Sequence, residues 1–208
     1  MRFCPILAAS GVTLVIEPPA ESAEYDKIDG AALRVLGLFS LPDDTTPLSL
    51  RRERYSLVKL IESIAADGRA VEPEVLQYGV TREQLAQTLQ RGGGWDIIHI
   101  SGHGSPGELM LERPDGTSDP VRADELIELL GPARERVKLV TVSSCWSAAP
   151  TEAELSRLLG LPVTARHQGR TRVSDGGRAS GALATDLAQR LGCAVLAMRY
   201  SVSDDFAM

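Results

Sequence analysis

The sequence is short of several things, and each shortage excludes something. Aromatic residues make up 4% of the 208, so the core has to be built from aliphatic side chains. Cysteines number three, Cys4, Cys145 and Cys193. An odd set with no close-spaced pair argues against a disulfide framework and against a cysteine-based zinc cluster, and it fits a reducing, cytoplasmic setting. No stretch reaches the roughly 18 apolar residues that a membrane span needs, so no membrane partner is expected. Positive charge is also scarce: 22 Lys and Arg stand against 28 Asp and Glu, for a net charge of −6. A phosphate backbone would meet a repulsive field, so nucleic acid is not expected as a direct partner. The basic cluster Arg166, His167, Arg170, Arg172 and Arg178 lies in a Gly-containing polar stretch and reads as a solvated loop.

What is present is ordinary for one globular domain, with 43% hydrophobic and 24% charged residues. The apolar run from Cys4 to Ile16 is broken by Pro5, Ser10, Gly11 and Thr13. It ends in Glu17-Pro18-Pro19 without a small-residue cleavage site, which argues against a signal peptide. The expectation is a short strand at Val12 to Ile16 followed by an exposed connection to Gly30.

Two stretches carry chemistry. Trp95 to Gly104, WDIIHISGHG, and Val140 to Ala148, VTVSSCWSA, are each β-branched apolar runs that stop at small residues and one reactive side chain. In the first that side chain is His103 between two glycines; in the second it is Cys145 after two serines. A cysteine near its free pKa is only slightly ionised at neutral pH, and an adjacent imidazole is the usual means of activating it.

Around these, Leu33 to Ser40 is a continuous apolar run of the kind buried in a parallel sheet. From Leu50 to Ala66, Leu57, Leu60, Ile61, Ile64 and Ala65 recur at helical spacing, while Arg51, Arg52, Glu53, Arg54 and Glu62 fall on the other positions. This reads as an amphipathic crossover helix. Val71 to Leu76 contains Pro73 and belongs at a sheet edge if it pairs. Thr81-Arg82-Glu83-Gln84 has capping-box spacing and opens a helix that Gly92-Gly93-Gly94 ends. Glu108 to Glu112 with Pro114-Asp115-Gly116 suggests a hairpin or a loop excursion, Asp124 to Leu130 a short helix, and Lys138 to Ser143 the Cys-bearing strand. A helix from Thr151, another over Ala179 to Leu191, and a strand over Cys193 to Tyr200 complete the pattern.

Alternation of this kind predicts an α/β fold, a mostly parallel sheet flanked by helices on both faces. Active sites of such sheets lie beyond the carboxyl ends of the strands, where His103 and Cys145 both fall. His99 and His103 have a spacing that would bind a metal on a helix, but the isoleucines and glycines around them argue strand and turn. His99 therefore reads as a buried, hydrogen-bonded sheet residue, and no metal site is expected. Alone, Cys145 would read as a buried structural cysteine. Paired with Gly-His-Gly at a second strand end, it reads as a nucleophile.

A strand ending His-Ile-Ser-Gly-His-Gly, followed by a second ending Ser-Ser-Cys, resembles the caspase-like cysteine peptidases, most closely the bacterial CHAT peptidase domain. The resemblance runs over about residues 31–205 and implies a caspase-like three-layer sandwich. It implies a peptidase domain over 31–208, with residues 1–30 as an N-terminal strand and linker. It also implies that Cys145 is the nucleophile, that His103 is the general base and then acid, and that the backbone amides of Gly104 and Cys145 form an oxyanion hole. Family members cleave peptide bonds of protein substrates, use no cofactor, and often work with helical-repeat regions or regulatory partners. By position Ser143, Trp146 and Asp204 are candidates for shaping the substrate pocket. The ending Ser203 to Met208 reads as the first turn of a helix that does not continue, so the expectation is a domain cut from a longer protein, gated by its other regions or by a partner. Two other readings stand beside the peptidase: a catalytically inactive caspase-like interaction module, and a metal-dependent hydrolase.

Overall fold

In the computed structural model, residues 32–48, 50–91, 93–145, 147, 159 and 183–198 are described. Leu33–Ser40 forms β1, followed by α1 (Leu50–Ala66), β2 (Val71–Gln77), α2 (Arg82–Gln90) and β3 (Ile97–Gly102). The short β4 (Gly104–Ser105), β5 (Glu108–Glu112) and β6 (Ser118–Arg122) come next, then α3 (Ala123–Leu130) with a 3₁₀ turn at Gly131–Ala133, β7 (Leu139–Ser143), α4 (Leu183–Leu191) and β8 (Ala194–Ala197).

The central sheet has the order β2-β1-β3-β7-β8, and each adjacent pair is parallel. Together with its helices it is the α/β, three-layer arrangement expected of a caspase-like fold. Pro73 lies in β2, the edge strand, where a missing ladder donor costs least.

Alternation within the strands separates two faces. Leu36, Leu38, Ile98, Ile100, Val140 and Val142 are all buried and join a single aliphatic core with Leu85 and Leu89 of α2, Leu126 and Leu130 of α3, and Leu183 and Leu187 of α4. The other face of β3 and β7 carries His99, Ser101, Thr141 and Ser143, and α1 lies against this side. A Cβ on Gly37 would meet the Leu57 side chain at 3.3 Å.

The span expected for α1 is the one observed, but its apolar stripe is only partly used. Ile61 is its one buried residue, while Leu60 is 58% exposed and Ala65 is exposed too. At α2 the cap is half of what the spacing suggests. Thr81 Oγ1 accepts from the Gln84 amide at 3.1 Å, but the Thr81 amide donates to Gly79 O at 2.8 Å rather than to the Gln84 side chain. Such a cap contributes about 1 kcal/mol. The hairpin appears as β5 and β6, antiparallel, with Leu109, Leu111 and Val121 fully buried. The strand expected at Val12 to Ile16, the helix from Thr151 and the first residues of the helix from Ala179 lie outside the described residues.

Candidate functional site

The site is built at the carboxyl edge of β3 and β7. These strands pair in parallel, with Ser101 directly opposite Ser143. His103 and Cys145 each stand two residues beyond that last registered pair, on chains that the sheet holds roughly 4.8 Å apart. The approach of the two turns is closer still: a Cβ on Gly104 would meet Ser144 Oγ at 2.8 Å and Cys145 O at 2.9 Å. Any side chain there would push the two strand ends apart, which is a steric reason for glycine after the histidine. Gly102 meets a similar constraint on the other side, where a Cβ would lie 2.6 Å from Ser40 O of β1.

The imidazole of His103 is oriented from the β1–α1 connection. Its Nε2 lies 2.6 Å from Thr46 O. A carbonyl oxygen only accepts, so Nε2 carries the proton of the neutral ring and Nδ1 keeps its lone pair. The hairpin fastens the loop that presents this carbonyl. The Leu41 amide donates to Glu112 Oε1 at 3.1 Å, the Asp43 amide to Gly116 O at 2.9 Å, and the Ser118 amide to Asp44 Oδ1 at 2.9 Å. The Ser118 contacts hold the Asp44 carboxyl below its usual range. The same Glu112, 6% exposed, accepts from the Gly79 amide at 2.6 Å, so one buried carboxylate joins the connections after β1 and β2. A cavity of about 280 Å³ opens beside this loop, lined by Phe39, Leu41, Leu48, Leu50, Arg51, Arg54, Gln77, Tyr78 and Glu112.

The hairpin also holds the His103 backbone. Met110 N–H donates to His103 O at 3.0 Å, making Gly104 and Leu109 a pair whose mutual ladder bonds are not formed. The Gly104 N–H is therefore not consumed by β5.

Cys145 is half-buried and forms no disulfide. Its turn is locked by Ser147, which is fully buried. Ser147 Oγ donates to Ser144 O at 2.9 Å and accepts from the Met198 amide at 3.0 Å, while Ser147 O accepts from Ala184 N at 3.0 Å. The Cys turn is thus tied to the start of α4 and to the chain leaving β8. Cys193 is buried, and desolvation pushes its thiol up to about 11, as expected of a structural cysteine.

Below the edge lies a polar cluster. His99 Nδ1 is 2.7 Å from Thr141 Oγ1, and its Nε2 is 3.3 Å from Glu53 Oε1. Ser101 Oγ donates to Glu53 Oε2. His99 is thus the hydrogen-bonded sheet residue its surroundings suggested, though half-buried rather than buried. No group of three or more metal-ligating side chains occurs among the described residues.

His103, Gly104, Ser143 and Cys145 thus meet at one edge, while Trp146 and Asp204 lie outside the described residues. Three contributors escape a reading of side-chain chemistry. Thr46 acts through its carbonyl, which leaves no mark on residue type. Ser147 is one serine among several. Glu53 had a usable signal: it stands at i−4 from Leu57 and i−8 from Ile61, so it is a lone acid on the helix stripe that faces the sheet.

A search of curated proteins gives no match to the chain. The model of the CHAT domain family matches residues 7–208. With a parallel α/β sheet and a histidine and a cysteine at adjoining strand ends, the chain belongs to the CHAT domain family, whose caspase-like members include peptidases.

Proposed function

We propose that this chain is a cysteine endopeptidase acting on a protein or peptide substrate. The observation that carries the reading is the parallel register of β3 and β7, which brings the His103 and Cys145 turns to the same height on neighbouring strands. The Thr46 contact supports it, because it leaves the Nδ1 lone pair of His103 as the proton acceptor.

In this reading Nδ1 takes the thiol proton of Cys145, and the thiolate sulfur attacks the carbonyl carbon of the scissile peptide. The oxygen gains negative charge, which the Gly104 and Cys145 amides stabilise; one such donor is worth about 3–4 kcal/mol of barrier. His103 then gives its proton to the departing amine. Water, deprotonated by the same imidazole, hydrolyses the thioester and restores the thiol. No cofactor is required. Ser143 borders the substrate pocket, and a regulatory partner or further chain segment gates the site in the reducing interior of a cell.

The test is labelling by a peptidyl thiol-reactive probe across pH, with hydrolysis of an unstructured protein measured alongside. Label is expected on Cys145 well below pH 8.5. His103→Ala slows it strongly, and Cys145→Ala abolishes hydrolysis, a loss of at least ~10³-fold. Labelling that is slow and indifferent to His103 would instead identify an inactive interaction module of the same fold.

A further inference from the structure

The cavity of about 280 Å³ lies beyond the carboxyl ends of β1 and β2 and is separate from the dyad. None of His103, Gly104, Ser143 or Cys145 lines it, and in the sheet order β1 and β2 stand two and three places from β7. That is roughly 10 and 14 Å from the Cys-bearing strand. Two kinds of wall meet in it: Phe39, Leu41, Leu48 and Leu50 supply an apolar side, and Arg51 and Arg54 a cationic one. Arg54 is held by Gln77, whose Oε1 accepts from Nη1 at 2.6 Å. Neither arginine has an ion-pair partner among the described residues. Glu112 is the one acid on the lining, and both its oxygens are taken, by the Leu41 and Gly79 amides. Two guanidinium groups against one amide-bound carboxylate leave the cavity a surplus of positive charge, in the fork geometry that matches a carboxylate.

The rim carries a second, independent signal. Tyr78 has a φ of 61°, the one positive φ at a non-glycine residue among those described, and the residue is 77% exposed. A bulky side chain is strained in the left-handed region, and strain of this kind persists only where the surroundings enforce it. Here Glu112 enforces it, by accepting from the amide of the next residue, Gly79, whose φ is 71°. The strain is not offset by burial of the ring. Its result is an open aromatic ring on the lining that also carries the two arginines.

We propose that this cavity is an effector site for a small organic acid, an apolar or aromatic body bearing one carboxylate, seated between the leucines and Tyr78 with its anion on Arg51 and Arg54. A pocket of this size suits a fragment-sized molecule. Leu41 and Leu48 flank Thr46 on one loop, and Thr46 O is the partner of His103 Nε2. A ligand packed against both leucines therefore favours the loop arrangement that orients His103. The binding site stands apart from the peptidase reading, whereas its effect on the dyad rests on that reading.

The experiment is calorimetric titration of benzoate into the protein at low salt, with benzamide and inorganic phosphate as controls. Benzoate is expected to bind with a Kd of about 1 mM or below. Benzamide lacks the charge and phosphate the apolar body, so each should bind at least ~10-fold more weakly, as should benzoate to Arg51→Ala/Arg54→Ala. If that variant fails to fold, Arg51→Gln/Arg54→Gln removes the charges alone and carries the same expectation. Tyr78→Gly should weaken benzoate at least ~3-fold while the melting temperature stays level or rises, because glycine relieves the strained φ; a merely structural ring would lower the melting temperature. Absence of binding, phosphate equal to benzoate, or benzoate indifferent to the arginine pair overturns the site. For the effector role, alkylation of Cys145 by iodoacetamide at pH 7 is read from the tryptic peptide Leu139 to Arg157, which holds no other cysteine. Saturating benzoate should raise that rate about 5-fold or more, and the arginine variant should lose the gain. Binding without a change in rate overturns the effector role. A benzoate-free rate indifferent to His103→Ala overturns the peptidase reading instead, so the two failures are told apart.

Discussion

Two carboxylates sit at opposite ends of the same strands, and they are satisfied in opposite ways. At the amino edge Asp96 is fully buried just before β3. Its Oδ2 lies 2.7 Å from Arg136 Nη2 and accepts the Arg34 amide at 2.9 Å, and its Oδ1 is 3.8 Å from Lys138 Nζ. Its backbone continues the tie, with Asp96 N donating to Arg34 O at 2.9 Å and Asp96 O accepting from Lys138 N at 2.8 Å. Cationic partners and main chain thus lock β1, β3 and β7 together where no chemistry is carried out. At the carboxyl edge, Glu53 Oε1 lies 3.3 Å from His99 Nε2 and Glu53 Oε2 accepts from Ser101 Oγ. The contrast teaches that one sheet uses the same functional group for a cation-paired anchor at one end and as a partner of polar side chains at the other.

The largest expected effect tests the anchor. Asp96→Ala leaves Arg136 without its buried partner and should cost about 3–5 kcal/mol in chemical denaturation. The folded fraction should still alkylate Cys145 at the wild-type rate; a selective loss of alkylation would erase the division between the two edges. Next in size is Gly104→Ala, whose added methyl meets Ser144 Oγ and Cys145 O at 2.8 and 2.9 Å. It should slow probe labelling of Cys145 by about 10- to 100-fold while costing only ~1–3 kcal/mol of stability, the range for overpacking. Equal labelling would mean that the two turns yield without consequence for the site.

The smallest effect is a pH dependence. For Asp96, burial raises the carboxyl, but the Arg136 hydrogen bond and the Arg34 amide more than offset it, so the folded value lies below the ordinary 3.8. A depressed folded pKa contributes stability that is present above the unfolded value and lost as pH falls through the folded one. Stability should therefore be level above about pH 5 and decline below pH 4. The decline should be shallower in Asp96→Asn, as read from urea midpoints at stepped pH.

Much of the fold was legible because the signals are local. The continuous apolar run of β1, the helical period of α1, the proline that sends β2 to an edge and the turn residues between β5 and β6 each act over a few neighbours. The same holds for the two reactive strand ends, marked by small residues after β-branched runs. Glu53 was misread because a charged residue in an Arg-rich turn looks solvated until the sheet opposite it proves polar. Leu60 was misread in the other direction: its spacing is apolar, yet it is 58% exposed because the helix meets the sheet along a narrower strip than the pattern allows.

By itself, then, the sequence determined the order and type of the elements and which side chains close β3 and β7, because dihedral preference and burial period are properties of short segments. Only the tertiary structure decided that β3 and β7 are neighbours in register, that the Thr46 carbonyl meets His103, that Ser147 ties the Cys turn to Met198, and that Glu53 accepts from Ser101. Each of these is a contact between residues far apart in the chain, made by backbone groups or ordinary polar side chains. Nothing in residue type distinguishes them until packing brings the segments together.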